Sequence, residues 1–167
     1  ITVYVDNTSP SSTITSPSNE FITNQKMNIK GNTSDNHFVN KVTISYTNWS
    51  SEEEDCNYEN WKELVVLENT EVKLPFNWSR DAWSPEDGIY CIKAQGTDLA
   101  GNIENTSIIK NIIYDTEKPE ISLVNLINGV LGEITADGGL SGLESIKVKV
   151  GDGEWEDYKE GMNLNDM

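Results

Sequence analysis

The chain has 167 residues, with 12 Lys+Arg against 28 Asp+Glu, a formal net charge of −16, and 36% hydrophobic residues. No apolar run approaches the roughly 18 residues of a membrane-spanning helix, and so acidic a surface is a poor match for phosphate-rich partners. Direct membrane insertion and nucleic-acid binding are therefore not expected, and one His with two Cys leaves few ways to build a zinc site or a His-dependent catalyst.

In chain order, the first residues Val3-Tyr4-Val5 read as a strand with no Met-basic-apolar leader before them, as in a mature fragment or a piece of a longer protein. Lys41-Val42-Thr43-Ile44-Ser45-Tyr46 alternates with period two and predicts a half-buried strand. The segment 47–58 follows, with the acids Glu52, Glu53, Glu54 and Asp55 flanked by aromatic residues. It reads either as a recognition loop or as a solvated hairpin extension. Gly88 to Gly96 predicts a strand whose inner face is Tyr90, Ile92 and Ala94 and whose outer face is Cys91, Lys93 and Gln95. Asp98-Leu99-Ala100-Gly101-Asn102 reads as a turn into a strand from Ile108 to Tyr114. Ile146 to Val150 alternates again and runs into the hairpin signal Gly151-Asp152-Gly153, then Trp155. No segment carries a helical period, and short strands separated by polar breaks point to an all-β sandwich.

Internal similarity sets the organisation. Val3-Tyr4-Val5-Asp6-Asn7-Thr8-Ser9-Pro10 matches Ile112-Ile113-Tyr114-Asp115-Thr116-Glu117-Lys118-Pro119. Gly31 through Asp35 with Val39-x-x-Val42-x-Ile44-x-Tyr46 matches Gly132 through Asp137 with Leu143-x-x-Ile146-x-Val148-x-Val150, and Trp61 matches Trp155, with about ten extra residues before Trp61 that mark an insertion near Asn48–Tyr58. The first match has an offset of 109 residues, which suits one β-sandwich domain of about 100 residues. Residues 1–7 are accordingly expected to be the terminal strand of a preceding repeat, 8–115 a complete domain, and 116–167 the N-terminal half of the next one, so that the last repeat is incomplete. The short Asp-x-x-x-Pro linkers suggest restricted pivots.

The chain resembles the tandem immunoglobulin-like repeats of bacterial and archaeal surface proteins. The pieces that carry the resemblance are Asp115-x-x-x-Pro119, Gly31 to Asp35 before the Val42-x-Ile44 strand, and Trp78 with Trp83. The most specific is Asp87-Gly88-Ile89-Tyr90-x-Ile92-x-Ala94-x-Gly96-Thr97-Asp98-x-Ala100-Gly101-Asn102. Gly96 stands where the family usually has Ala, a small-for-small change expected to leave the fold unaltered. The resemblance covers essentially the whole chain and implies an immunoglobulin-like sandwich in tandem repeats, in an extracellular, cell-surface setting. It names no single activity, because such folds host many functions.

Candidate sites follow. An even cysteine count in a chain read as secreted favours one disulfide between Cys56 and Cys91, with two separate thiols as the alternative. In an immunoglobulin-like sandwich that bond would pin the 47–58 insertion onto the outer face of a sheet. Asn-x-Ser/Thr sequons begin at Asn7, Asn32, Asn48, Asn77 and Asn105, where 19 Asn and 28 Ser+Thr predict about three by chance. They mark N-glycosylation sites or, alternatively, a polar Asn-rich surface. Asp6, Asp35, Asn36, Asp98, Asn102 and Asp115 are oxygen donors at turns, open to calcium. The same residues are expected at turns for backbone reasons, and no metal or cofactor is expected. His37 lies in a polar turn without a Gly-x-Ser-x-Gly elbow, and no paired-carboxylate cleft or phosphate loop is visible, so no catalytic residue is expected. Trp61 and Trp155 read as packing residues, whereas Trp49 and Trp78, inside Asn-Trp-Ser sequons, read as exposed.

Together these features lead to the expectation of a non-enzymatic extracellular structural module of a cell-surface, surface-layer, stalk or filament protein. Its partners would be adjacent repeats of the same or neighbouring chains and N-linked glycans. The alternatives are an accessory or carbohydrate-binding module of a secreted hydrolase, or an adhesin binding through the 47–58 loop.

Overall fold

The computed structural model describes residues 5–49, 56, 60–71, 74–105, 107–123, 126–127, 130–131 and 134–163. The chain divides into two compact units, Ile1–Thr116 and Glu117–Met167. The fold is predominantly β. Among the described residues the only helical piece is a 3₁₀ turn at Gly139–Ser141, and no helix is long and apolar enough to cross a membrane.

The described residues of the first unit form eight strands: β1 (Ser11–Ser16), β2 (Ile22–Thr23), β3 (Met27–Ser34), β4 (Val39–Asn48), β5 (Lys62–Glu68), β6 (Phe76–Trp83), β7 (Gly88–Asp98) and β8 (Ser107–Tyr114). They form a three-stranded sheet in the order β1-β3-β6 and a five-stranded sheet in the order β2-β8-β7-β4-β5. All pairings are antiparallel except β2 with β8, which is parallel, Ile22 opposite Ile113 and Thr23 opposite Tyr114. The leading strand is thus split, β1 in one sheet and β2 in the other.

Alternation explains the inner faces. In β3 the residues Met27, Ile29, Gly31 and Thr33 are buried, while Asn28, Lys30 and Ser34 are exposed. In β7 the predicted inner face, Tyr90, Ile92 and Ala94, is buried as expected. Three inward pairs break the period of two, and each sits at an irregularity. Trp78 and Trp83 of β6 both face the core because the β3–β6 register shifts between Met27 and Ile29, where Ala82 takes φ 57°. Val39 and Val42 both face the core because the β4–β7 register shifts between Val39 and Lys41. Ile109 and Ile112 both face it because the β7–β8 register shifts between Tyr90 and Ile92, and Asn111 takes φ 56°, a conformation Asn tolerates. Met27, Ile29, Trp78 and Trp83 from the small sheet join Val39, Val42, Ile44, Tyr90, Ile92, Ala94, Ile109, Ile112 and Tyr114 from the large one in a single apolar core. Burial of this set is the main stabilising term of the unit.

Glycine permits close approach between strands at two places. Gly31 lies opposite Trp78, and a Cβ at Gly31 would overlap both the Trp78 ring and the Thr13 carbonyl oxygen. Gly96 is similarly crowded, since an added Cβ would lie 2.9 Å from Thr33 Cγ2 and 3.0 Å from Pro10 Cβ. In this chain the neighbours of residue 96 have closed in around glycine.

The second unit holds β9 (Glu120–Leu123), β10 (Leu126–Ile127), β11 (Val130–Leu131), β12 (Ile134–Asp137), β13 (Lys147–Val148) and β14 (Glu156–Asp157). They pair in antiparallel twos: β9 with β12, β10 with β11, β13 with β14. The predicted hairpin at 151–153 joins β13 to β14, with the Gly153 N–H bonded to Val150 O at 3.0 Å and Gly151 at φ 54°. None of the residues 117–163 whose burial is described is buried, and Ile121 and Trp155 are 63% and 65% exposed. Trp155 therefore does not pack as expected, for two-stranded pairs supply no second layer to cover it.

Candidate functional site

The Cys56–Cys91 disulfide forms, with Cα atoms 6.0 Å apart. Cys91 follows the inward Tyr90 and precedes the inward Ile92, so alternation turns it to the outer face of the large sheet, and neither cysteine belongs to the core cluster. Both sulfurs are nonetheless shielded, Cys56 at 2% and Cys91 at 0% exposure. The bond ties residue 56 to that outer face. Most of the 47–58 insertion, including its acidic run, lies outside the described residues. Beside Cys91 on the same face, Lys93 places Nζ 4.6 Å from the Trp61 ring centroid, a cation–π contact. Burial there holds the Lys93 ammonium below the usual lysine range.

The sequons divide by position. Asn7, Asn48, Asn77 and Asn105 are exposed and Asn32 is half-buried. Asn32 and Asn77 stand directly opposite one another on β3 and β6. Their neighbours correct one expectation. Trp78, the middle residue of its sequon, is buried at 5% exposure, and its Nε1 donates to Thr33 Oγ1 at 2.9 Å. In a strand, Asn and Ser of Asn-x-Ser share one face and x takes the other. Trp49 is half-buried.

Trp78 opens onto a polar chain that the sequence did not signal. Thr33 Oγ1 lies 2.8 Å from Ser12 Oγ, which donates to Glu104 Oε2 at 2.5 Å. Glu104 also accepts the Ser12 N–H on Oε1 and the Gly96 N–H on Oε2, the latter at 2.8 Å. Glu104 is 6% exposed, Ser12 7% and Thr33 0%. A buried carboxylate is tolerable because three donors converge on it. A lone Glu in a short loop carries no sequence signal for this role.

A second unforeseen feature lies at the start of β7. Tyr90 stacks edge-on with Trp83 and Tyr46, at centroid separations of 5.5 Å and 6.1 Å, and its hydroxyl donates back to Glu86 O at 2.7 Å. Burial, with the nearby Glu86 carboxylate, Tyr46 and Asp87, pushes the Tyr90 hydroxyl above the ordinary tyrosine range.

The turn donors gather at the Asp98 end of the first unit, except Asp115, which follows β8 at the other end and donates its N–H to Thr23 O at 3.1 Å. Asp98 accepts the Asn102 N–H and side-chain amide, each at 2.7 Å, as a backbone cap. Asn102 Nδ2 also donates to Asp6 O at 3.0 Å. Residues 5–7 are assigned to no strand, Asp6 bonds within the first unit, and residues 1–4 of the expected preceding-repeat strand lie outside the described residues. Asp6 Oδ1 accepts the Thr8 N–H at 3.0 Å and Asn36 Nδ2 at 3.3 Å, and Asp6 Oδ2 lies 3.3 Å from His37 Nδ1. Asp35 Oδ2 accepts the His37 N–H at 2.9 Å.

No protein-family model matches the chain, and neither the curated proteins nor the solved structures contain a match.

Proposed function

We propose that the chain is a non-enzymatic extracellular structural module, built on immunoglobulin-like sandwiches in tandem, of a cell-surface, surface-layer, stalk or filament protein. The observation that carries the reading is the strand plan of the first unit together with its tyrosine. In chain order, strands one, three and six make one sheet, and strands two, eight, seven, four and five make the other. With the leading strand split between sheets, this is the order of an immunoglobulin-type sandwich. Tyr90, near the start of the penultimate strand and bonded back to Glu86 O, has the geometry of the tyrosine corner of that fold.

The second unit supports tandem repetition. Its β9–β12 pair, with Glu120 opposite Asp137, follows the β1–β3 pair, with Ser11 opposite Ser34. Its β14 begins just after Trp155 and pairs with β13, as β5 begins just after Trp61 and pairs with β4. The disulfide and four exposed sequons favour an oxidising, glycosylating compartment. Stacked modules of this kind hold neighbouring domains at a distance, with adjacent repeats and N-linked glycans as partners. Immunogold labelling of intact cells with antibody against this chain, joined to intact-mass measurement of the recovered protein, tests the reading. Labelling that needs permeabilised cells, or a bare polypeptide with free thiols, would sink it.

A further inference from the structure

We propose that Asp6, Asp35 and His37 form a binding site for one divalent transition-metal ion of the zinc class. A carboxylate oxygen from each acid and a ring nitrogen of His37 lie within 4.8 Å of one another. Each carboxylate is oriented through one oxygen and presents the other. Thr8 N–H and Asn36 Nδ2 hold Asp6 Oδ1, which turns Oδ2 to the imidazole. The His37 N–H holds Asp35 Oδ2, which leaves Oδ1. That Asp35 Oδ1 is buried and has no hydrogen-bond partner among the described residues. A carboxylate oxygen without donors, beside a second carboxylate on a chain of net charge −16, calls for a cation.

The geometry selects the class of ion. Two ligands bound tetrahedrally at zinc distances stand about 3.3–3.4 Å apart. His37 Nδ1 and Asp6 Oδ2 are 3.3 Å apart. Calcium takes six to eight oxygen ligands, whereas imidazole with two carboxylates suits zinc and its neighbours. The Asp6 side chain is 10% exposed and forms the floor, and the His37 side chain, at 42%, leaves a way in for the ion and for water as fourth ligand. Asp6 precedes β1 and the other two ligands lie between β3 and β4, so the bound ion clips the lead-in segment to that turn. The oxygen-only calcium set considered from the sequence is thereby replaced by a smaller one that includes the chain's single histidine. The site stands whether or not the structural-module reading holds.

The test is calorimetric titration of the chelator-stripped 167-residue chain with zinc chloride and with calcium chloride, and the visible spectrum of its cobalt(II) form. The expected result is one saturable zinc site, a cobalt spectrum of tetrahedral type, and affinity at least tenfold weaker in both His37→Ala and Asp35→Asn. Glu154→Gln, in the second unit, should bind as the parent does. Folding of each variant is checked by circular dichroism. His37→Ala, at an exposed side chain, keeps the test valid if Asp35→Asn unfolds. Unchanged zinc affinity in a folded His37→Ala chain, calcium binding in place of zinc, or no saturable zinc binding at millimolar concentration would each overturn the assignment.

Discussion

Glu104 offers the sharpest test of how the first unit is held together. Its carboxylate accepts the Ser12 N–H, the Ser12 hydroxyl and the Gly96 N–H, linking β1 of the small sheet to β7 of the large one. Glu104→Ala removes the acceptor and leaves two backbone N–H groups buried without partners. Each orphaned donor costs about 1–3 kcal/mol, so the expected loss is about 4 kcal/mol. Glu104→Gln keeps the volume, but its amide NH₂ must face a donor, and the expected loss is about 2 kcal/mol. Against a domain stability of about 5–15 kcal/mol, both are large. Urea unfolding followed by tryptophan fluorescence measures them, since Trp78 is hydrogen-bonded into the same chain through Thr33. A Ser12→Ala, Glu104→Ala double-mutant cycle should return a coupling of about 1–2 kcal/mol. Two variants that both unfold within about 0.5 kcal/mol of the parent would show that the carboxylate does not join the sheets and would refute the reasoning.

Three further outcomes follow from the geometry. Gly31→Ala should cost about 2–3 kcal/mol in urea unfolding, because its Cβ meets the Trp78 ring, and Trp78→Phe in the same chain should recover part of that loss; a neutral Gly31→Ala would disprove the contact. Burial alone would raise the Asp98 carboxyl, but the Asn102 side chain and the N–H groups of Asn102, Gly101 and Ala100 outweigh it and hold it below the ordinary carboxylate range. A depressed acid stabilises the fold above its unfolded pKa of about 3.9 and loses that contribution as pH falls through the folded value. Stability should thus drop below about pH 4, and Asp98→Asn, less stable at neutral pH, should flatten that drop; an identical acid slope would contradict the assignment. Reducing the disulfide, which spans a sequence separation of 35, should lower stability by about 3–4 kcal/mol on the chain-entropy account, and a urea midpoint indifferent to reductant would argue against it.

Much of the scaffold was legible because period-two alternation is a strong signal. Tyr90, Ile92 and Ala94 were read as one inner face and are buried, and the Asp98-to-Asn102 turn closes through the carboxylate as Asp-Gly-Asn chemistry predicts. The Cys56–Cys91 pair followed from cysteine arithmetic and compartment. What failed was reading a sequon as a surface label for all of its residues. Asn77 and Ser79 are exposed while Trp78 between them is buried, and Thr33 between Asn32 and Ser34 is buried likewise. The pleat decides, not the motif. Trp155 failed for the opposite reason: an apolar residue at a repeat-equivalent position is covered only where a second layer exists. Glu104 and the Tyr90 hydroxyl were invisible because their partners are main-chain atoms, whose positions no residue pattern announces. In the sequence Asp35 is one turn oxygen donor among several and His37 a histidine in a polar turn; only the turn between β3 and β4 brings them to Asp6.

The parallel pairing of β2 with β8 has a mechanical consequence for any force applied along the first unit. The chain enters beside Asp6, at the Asp98 end, and leaves at Asp115, past the far end of β8. Tension between those points drags β2 and β8 lengthwise past each other. The bonds from Ile113 N–H to Phe21 O and from Asp115 N–H to Thr23 O, at 2.8 Å and 3.1 Å, then carry force together in shear instead of peeling one at a time. A strand split between two sheets thus becomes a latch against any pull applied between those two points.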